Sequence, residues 1–248
     1  MKVRIGMMTN LDMIELFAGI RAFSLASEWI GGFRTVEAVE INPYCNEKMK
    51  KHYPNVPIHE DIRTYSPKLS ADVIVGGSPC QNLSSQGKQE GLKGDRSILW
   101  YEMLRVINES KPRFVIWENV RNAIAKGAVE EVMRGLYQSG YGFDAQILSA
   151  KEMGAHHERE RVFVVAYSHS VVKAIGSKVF QSWAEQVRHQ IKIARSFSCW
   201  QGSQLPDNGV SHGISARLAG LSAYGNAIVP QVAIVPLLRV KYLAEIAA

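Results

Sequence analysis

The chain has 248 residues, 46% of them hydrophobic, which is enough to bury the core of one large domain and too apolar for a disordered segment. Lys and Arg outnumber Asp and Glu by 29 to 23, a net charge of +6 that leans towards a polyanionic partner. The three cysteines, Cys45, Cys80 and Cys199, form no C-x-x-C and give no support to a disulfide framework or thiolate zinc site, and no run suits a signal peptide or bilayer span, so a soluble cytoplasmic protein is expected.

Apolar runs predict strands at Met13–Ala18, Thr35–Ile41, Val73–Gly77, Phe114–Trp117, Phe143–Leu148 and Val162–Tyr167. Between them, helical spacing predicts helices over Ala22–Ile30, Pro43–His52, Ser97–Glu109 and Ala128–Ser139. Strands alternating with helices imply an α/β fold with a mostly parallel sheet. Past Tyr167 the pattern breaks. Residues 168–209 are polar and mixed, with Trp183, Arg188, His189, Lys192, Arg195, Phe197 and Trp200 interleaved, and read as a small inserted module. Residues 210–248 return to apolar patterning and rejoin the main domain, which occupies 1–167.

Polar residues that follow the apolar runs carry the chemistry. Gly19, Glu40, Asp61, Cys80 and Glu118 stand at intervals of 21, 21, 19 and 38 residues, and the shorter spacing is what one βα unit occupies. Parallel strands would bring all five to one edge of the sheet, where open α/β sheets gather their ligands. Cys80, in Ser78-Pro79-Cys80-Gln81, would place a thiol on a turn at a strand end, suited to covalent catalysis. A tight turn at Phe17-Ala18-Gly19 lets a cofactor approach the backbone, and Glu40 can accept from two ribose hydroxyls. His156-His157-Glu158 lacks the helical spacing of a zinc pair, so no metal is expected.

In this order the motifs resemble the cytosine carbon-5 DNA methyltransferases, from about Ile14 to Val232 with one gap. Ile14-Glu-Leu-Phe-Ala-Gly19 is similar to the family's cofactor-binding opening, Val36-Glu-Ala-Val-Glu40 to its ribose-binding strand and Glu60-Asp61-Ile62 to its adenine-contacting turn. Gly76-Gly-Ser-Pro-Cys-Gln81 resembles the nucleophile motif, and Asp95-Arg-Ser-Ile-Leu-Trp100 the helix behind it. Trp117-Glu-Asn-Val120 matches Glu-Asn-Val, His157-Glu-Arg-Glu-Arg-Val162 the Gln-x-Arg-x-Arg motif and Tyr224-Gly-Asn-Ala-Ile-Val-Pro230 the C-terminal motif. Two departures stand out. His157 replaces the usual Gln, and Gly19-Ile20-Arg21-Ala22 replaces Gly-x-Gly-Gly, so a bulky cation enters the loop expected to cradle the amino-acid end of the cofactor.

The resemblance implies a Rossmann-like methyltransferase sheet, S-adenosylmethionine as cofactor and double-stranded DNA as substrate, and leaves room for a restriction endonuclease encoded nearby; a monomer is expected. It assigns catalysis to Cys80, Glu118, Arg159 and Arg161. It assigns cofactor binding to Phe17, Ala18, Gly19, Ile20, Glu40, Ile41, Asp61, Ile62, Ser78, Pro79, Leu99, Asn226 and Ala227. DNA contacts would come from Ser84 and Gln86 in a lid after Cys80, and from Arg188, Lys192 and Arg195 in the insert. An insert this short implies a recognition site of about two to four base pairs. Two alternatives stay open: a related enzyme acting on tRNA, and a catalytically impaired DNA- or cofactor-binding relic.

Overall fold

The computed structural model describes residues 10–79, 98–176, 178, 181–197 and 227–248. Seven strands form one sheet: β1 (Leu11–Leu16), β2 (Phe33–Val39), β3 (Ile58–His59), β4 (Val73–Gly76), β5 (Phe114–Val120), β6 (Tyr141–Leu148) and β7 (Arg161–Ser168). Their order is β3-β2-β1-β4-β5-β7-β6. The first five are parallel, and β7 runs antiparallel to both β5 and β6.

The central strands are buried on both faces, which is why they read as continuous apolar runs. Val73, Val75, Phe114, Ile116, Phe163 and Val165 line one face, against α1 (Ala22–Ile30), α5 (His169–Ile175), α6 (Trp183–Ser196) and α7 (Pro230–Ala247). Ile74, Val115, Trp117 and Val164 line the other, against α3 (Ile98–Ser110) and α4 (Ala128–Gln138). α2 (Pro43–His52) flanks β2, where Met49 packs on Ala18 and Ala38; its start is fixed by Asn42, whose side chain accepts from the Tyr44 N–H at 2.9 Å. Among the described residues no helix is long and apolar enough to cross a membrane.

All six predicted strands and four predicted helices are present, with ends shifted by at most three residues. β3 was not among the expected elements. The described part of 168–209 is also more ordered than its composition suggests. α5 and α6 pack on α7, and Trp183 and Ala194 join the main core. The buried face of α6 contains Gln186 and Gln190, which hides the helical periodicity. Trp183 Nε1 donates to Gln190 Oε1 at 2.8 Å, and Arg239 Nη1 donates to Gln186 Oε1 at 2.8 Å. Arg239, fully buried on α7, also pairs with Asp144 of β6 at 2.8 Å.

Candidate active site

The chain order reverses between β1 and β4: β2 and β3 lie to one side, β5 and β7 to the other. A crevice opens at the carboxyl ends of strands at such a switch point. Because β7 is antiparallel, with Arg161 opposite Val120, its first residues reach the same edge as the last residues of β5.

After β1 the backbone turns sharply, with Phe17 at φ 52° and Gly19 at φ 53°. Glu40 braces this turn. One carboxylate oxygen accepts the Gly19 N–H at 2.7 Å and the other the Asn42 N–H at 2.7 Å, tying the loops after β1 and β2 together. Each oxygen retains a further lone pair for a ligand hydroxyl. Ile41, next in sequence, is 64% exposed, an apolar side chain left uncovered beside this carboxylate. Asp61 and Ile62 begin a single 3-10 turn, Ile62–Thr64. The Asp61 carboxylate is chelated by Arg63, whose hydrogen bonds hold it well below the usual range, at about 2. Leu99 on α3 packs at the margin of the second core cluster.

Arg21 behaves differently from its expected place in the cofactor loop. Its side chain is 1% exposed and folds back between α1 and Tyr53, the residue that closes α2, with the guanidinium 3.7 Å from the ring centroid. It donates to Ser24 Oγ at 2.6 and 3.0 Å and lies 3.6 Å from Glu15 Oε2. Glu15 in turn accepts the N–H groups of Phe23 and Ser24, which would otherwise be left unpaired at the start of α1, where no N-cap side chain serves them. The expectation that Arg21 crowds the cofactor loop is therefore corrected: a buried carboxylate draws the cation into the protein interior.

On the other side of the switch point, Gly77, Ser78 and Pro79 leave β4. A Cβ on Gly76 would stand 2.8 Å from the Leu16 carbonyl, and one on Gly77 would stand 2.5 Å from Glu118 Oε2. The missing side chain at 77 makes the space that Glu118 fills. Ser78 is held from β5, accepting at Oγ from Trp117 Nε1 and at its carbonyl from Asn119 Nδ2, both at 3.2 Å. Trp117 and Asn119 thus fix the segment that leads to Cys80. Sequence reasoning gave them no separate role, although both lie in the quoted Trp-Glu-Asn-Val motif.

Glu118 is 8% exposed and pairs with Arg161, Nε to Oε1 at 2.9 Å. Burial pushes its carboxyl up to about 7, against the pull of Arg161 and Arg159. Arg159, at φ 38°, donates to the Ala227 carbonyl, which joins this corner to the segment preceding α7. Burial and the neighbouring Arg161 hold its own pKa below the ordinary value. The structure thus gathers Phe17, Ala18, Gly19, Ile20, Glu40, Ile41, Asp61, Ile62, Ser78, Pro79, Glu118, Arg159, Arg161 and Ala227 along one edge. Cys80, Ser84, Gln86 and Asn226 lie outside the described residues. Arg188, Lys192 and Arg195 form one exposed stripe of α6, opposite its buried glutamines.

The chain is 32% identical over 165 residues to the Type II methyltransferase M.HhaI of Haemophilus parahaemolyticus, covering 64% of this chain and 50% of that protein. It is 32% identical over 162 residues to M.FnuDI of Fusobacterium nucleatum, covering 63% and 47%. The chain thus spans about half the length of these curated relatives. Among solved structures, the S. pombe Dnmt2 methyltransferase superposes with a TM-score of 0.55 at 24% identity, over 71% of this chain and 58% of that one. A DNA modification methyltransferase encoded within an E. coli prophage also gives 0.55 at 24%, over 66% and 48%. These two likenesses show the fold. The profile of the C-5 cytosine-specific DNA methylases matches residues 11–204, most of the chain, and the chain belongs to that family.

Proposed function

We propose that the protein methylates carbon 5 of cytosine in double-stranded DNA, with S-adenosylmethionine as methyl donor. The observation that carries this reading is the buried Glu118–Arg161 pair beside the Ser78-Pro79 segment that runs into Cys80. The cofactor fits the residues on the other side of the switch point. Glu40 offers free lone pairs for the ribose, uncovered Ile41 an apolar face for the base, and the turn at Gly19 an approach to the backbone. When bound, the cofactor supplies an electrophilic methyl group.

The chain's own residues make the cytosine nucleophilic. A flipped base is needed, because carbon 6 is unreachable in the stack. The Cys80 thiolate adds to carbon 6, and the displaced electron pair moves onto the ring towards nitrogen 3. Glu118, near half protonation at neutral pH, donates a proton or hydrogen bond there and neutralises that charge. Arg161 orients Glu118 through their ion pair and would hold the ring's oxygen. Once carbon 5 carries the methyl group, its proton passes to solvent, the carbon 5–carbon 6 double bond re-forms, the carbon 6–sulfur bond breaks to release Cys80 as thiolate, and nitrogen 3 returns its proton to Glu118.

Arg188, Lys192 and Arg195 support a DNA phosphate contact, because α6 is locked onto α7 and presents them on one face. A reducing cytoplasm, where a nucleophilic thiol stays free, is the compartment this chemistry needs. Bisulfite sequencing of host DNA after expression tests the reading. Protected cytosines at a recurrent short site are expected, and full conversion throughout the genome would refute it.

A further inference from the structure

We propose that Arg105, on α3, is the positioning residue that sets the turn at Ile62–Thr64 for recognition of the cofactor's adenine. The proposal rests on the cofactor reading above and goes beyond it to a residue with no role in the assigned site. Arg105 Nη2 reaches across the fold to donate to the carbonyls of Ile62 at 2.8 Å and Tyr65 at 2.9 Å. Its other nitrogens are held in place, Nε by Glu102 at 2.8 Å and Nη1 by Glu109 at 2.7 Å.

Within the turn Arg63 holds the Asp61 side chain, but the backbone has weaker support. Its backbone-to-backbone bonds, Thr64 N–H to the Asp61 carbonyl and Tyr65 N–H to the Ile62 carbonyl, are both 3.2 Å, longer than the bonds Arg105 makes. Charge-assisted bonds of shorter length are the stronger ones. A second brace acts nearby: the Tyr65 hydroxyl donates to Glu37 at 2.5 Å in a buried contact. Arg105 clamps the carbonyl of the turn's first residue and the one just past its last, and Tyr65 anchors the end, so neither brace uses the Asp61 carboxylate or the Ile62 N–H. The Asp61 carboxylate, oriented by Arg63, offers acceptor lone pairs, and Ile62 offers a backbone N–H with no partner inside the turn. An acceptor beside a donor matches the adenine edge, whose exocyclic amine donates and whose ring nitrogen accepts. Leu99 lies on the same helix, so a single rigid element would set both the apolar and the polar contacts to the base.

A purely structural arginine would change stability without changing which base the turn prefers. The test therefore compares calorimetric affinities for S-adenosylhomocysteine and S-inosylhomocysteine, which carries a carbonyl oxygen in place of the amine and an N–H in place of the accepting ring nitrogen. The parent protein should favour the adenosyl compound by about a hundredfold or more, as sites built to pair a polar group reject analogues lacking it. Arg105→Met should lower that ratio by about tenfold, and Arg105→Lys, which keeps the charge but not the fork, should lower it as well. Glu109→Gln, which frees only Nη1, should leave it within about twofold. An unchanged ratio in both Arg105 variants, or an equal loss in Glu109→Gln, overturns the proposal while the cofactor reading stands. A folded parent that binds neither compound overturns both.

Discussion

A carboxyl walled in by apolar strands and paired with an arginine has no settled charge at neutral pH, and Glu118 is such a group. Its pKa stands near 7 against 4.5 for a free glutamate, so the folded state binds the extra proton between those values. Stability linked to this group is therefore complete below about pH 4.5 and falls as pH rises through 7, by about 3 kcal/mol for a shift of this size. Glu118→Gln should flatten that slope in denaturant titrations from pH 5 to 8; an unchanged slope would show that the carboxyl is not so perturbed. The same variant should lose about a hundredfold in methyl transfer while cofactor affinity stays within a few-fold. Near-normal turnover would remove Glu118 from the chemistry. Glu40 offers a sharper contrast. Both its oxygens accept backbone N–H groups, so a glutamine would have to turn its amide N–H₂ towards one of them. Glu40→Gln should therefore weaken S-adenosylhomocysteine binding about as much as Glu40→Ala, and calorimetry showing near-parent affinity for Gln would mean that the bracket is dispensable.

Between elements, the buried polar contacts explain both what the sequence disclosed and what it concealed. The central strands were legible because their middles are buried on both faces and run apolar; β4 and the first half of β5 announce themselves this way. α6 was not, because Gln186 and Gln190 stand where apolar residues would mark a buried face, and their partners Trp183 and Arg239 are up to 53 residues away. The antiparallel run of β7 was also invisible, since strand direction leaves no trace in a period of two. Arg21 misled for a related reason: its position in the motif suggested a loop cation, but Glu15, six residues earlier, supplies a buried counter-charge. Removing one member of a buried pair costs about 3–5 kcal/mol, whereas glycine would relieve about 1–2 kcal/mol of left-handed strain at φ 67°. Loss of the pair dominates. Arg21→Gly should lower the melting temperature by roughly 4–8 °C for a chain of this size, with cofactor affinity of the folded protein little changed. A stabilised variant would show that the ion pair contributes less than the strain.

At the scale of the whole molecule, the row of polar residues ending successive strands was the most reliable signal, because parallel strands translate sequence intervals into one spatial edge. What the intervals could not convey is how that edge divides. On the proposed reading Gly19, Glu40 and Asp61 form a cofactor side, with the loops after β1 and β2 tied together, while Gly77, Glu118 and Arg161 form a base side that fits because one side chain is absent. The proposed methyl transfer requires that the base side act through Cys80. Cys45, the buried cysteine, is no rival, because burial and Glu40 push its thiol up to about 11, far from thiolate at neutral pH. The most direct test is to incubate the protein with S-adenosylmethionine and duplex DNA carrying 5-fluorocytosine at a methylated site, where fluorine blocks loss of the carbon-5 substituent. A denaturation-resistant adduct mapped to Cys80 by mass spectrometry and absent from Cys80→Ala is expected; an adduct that persists in that variant, or that maps to Cys45 or Cys199, would rule out Cys80 as the nucleophile.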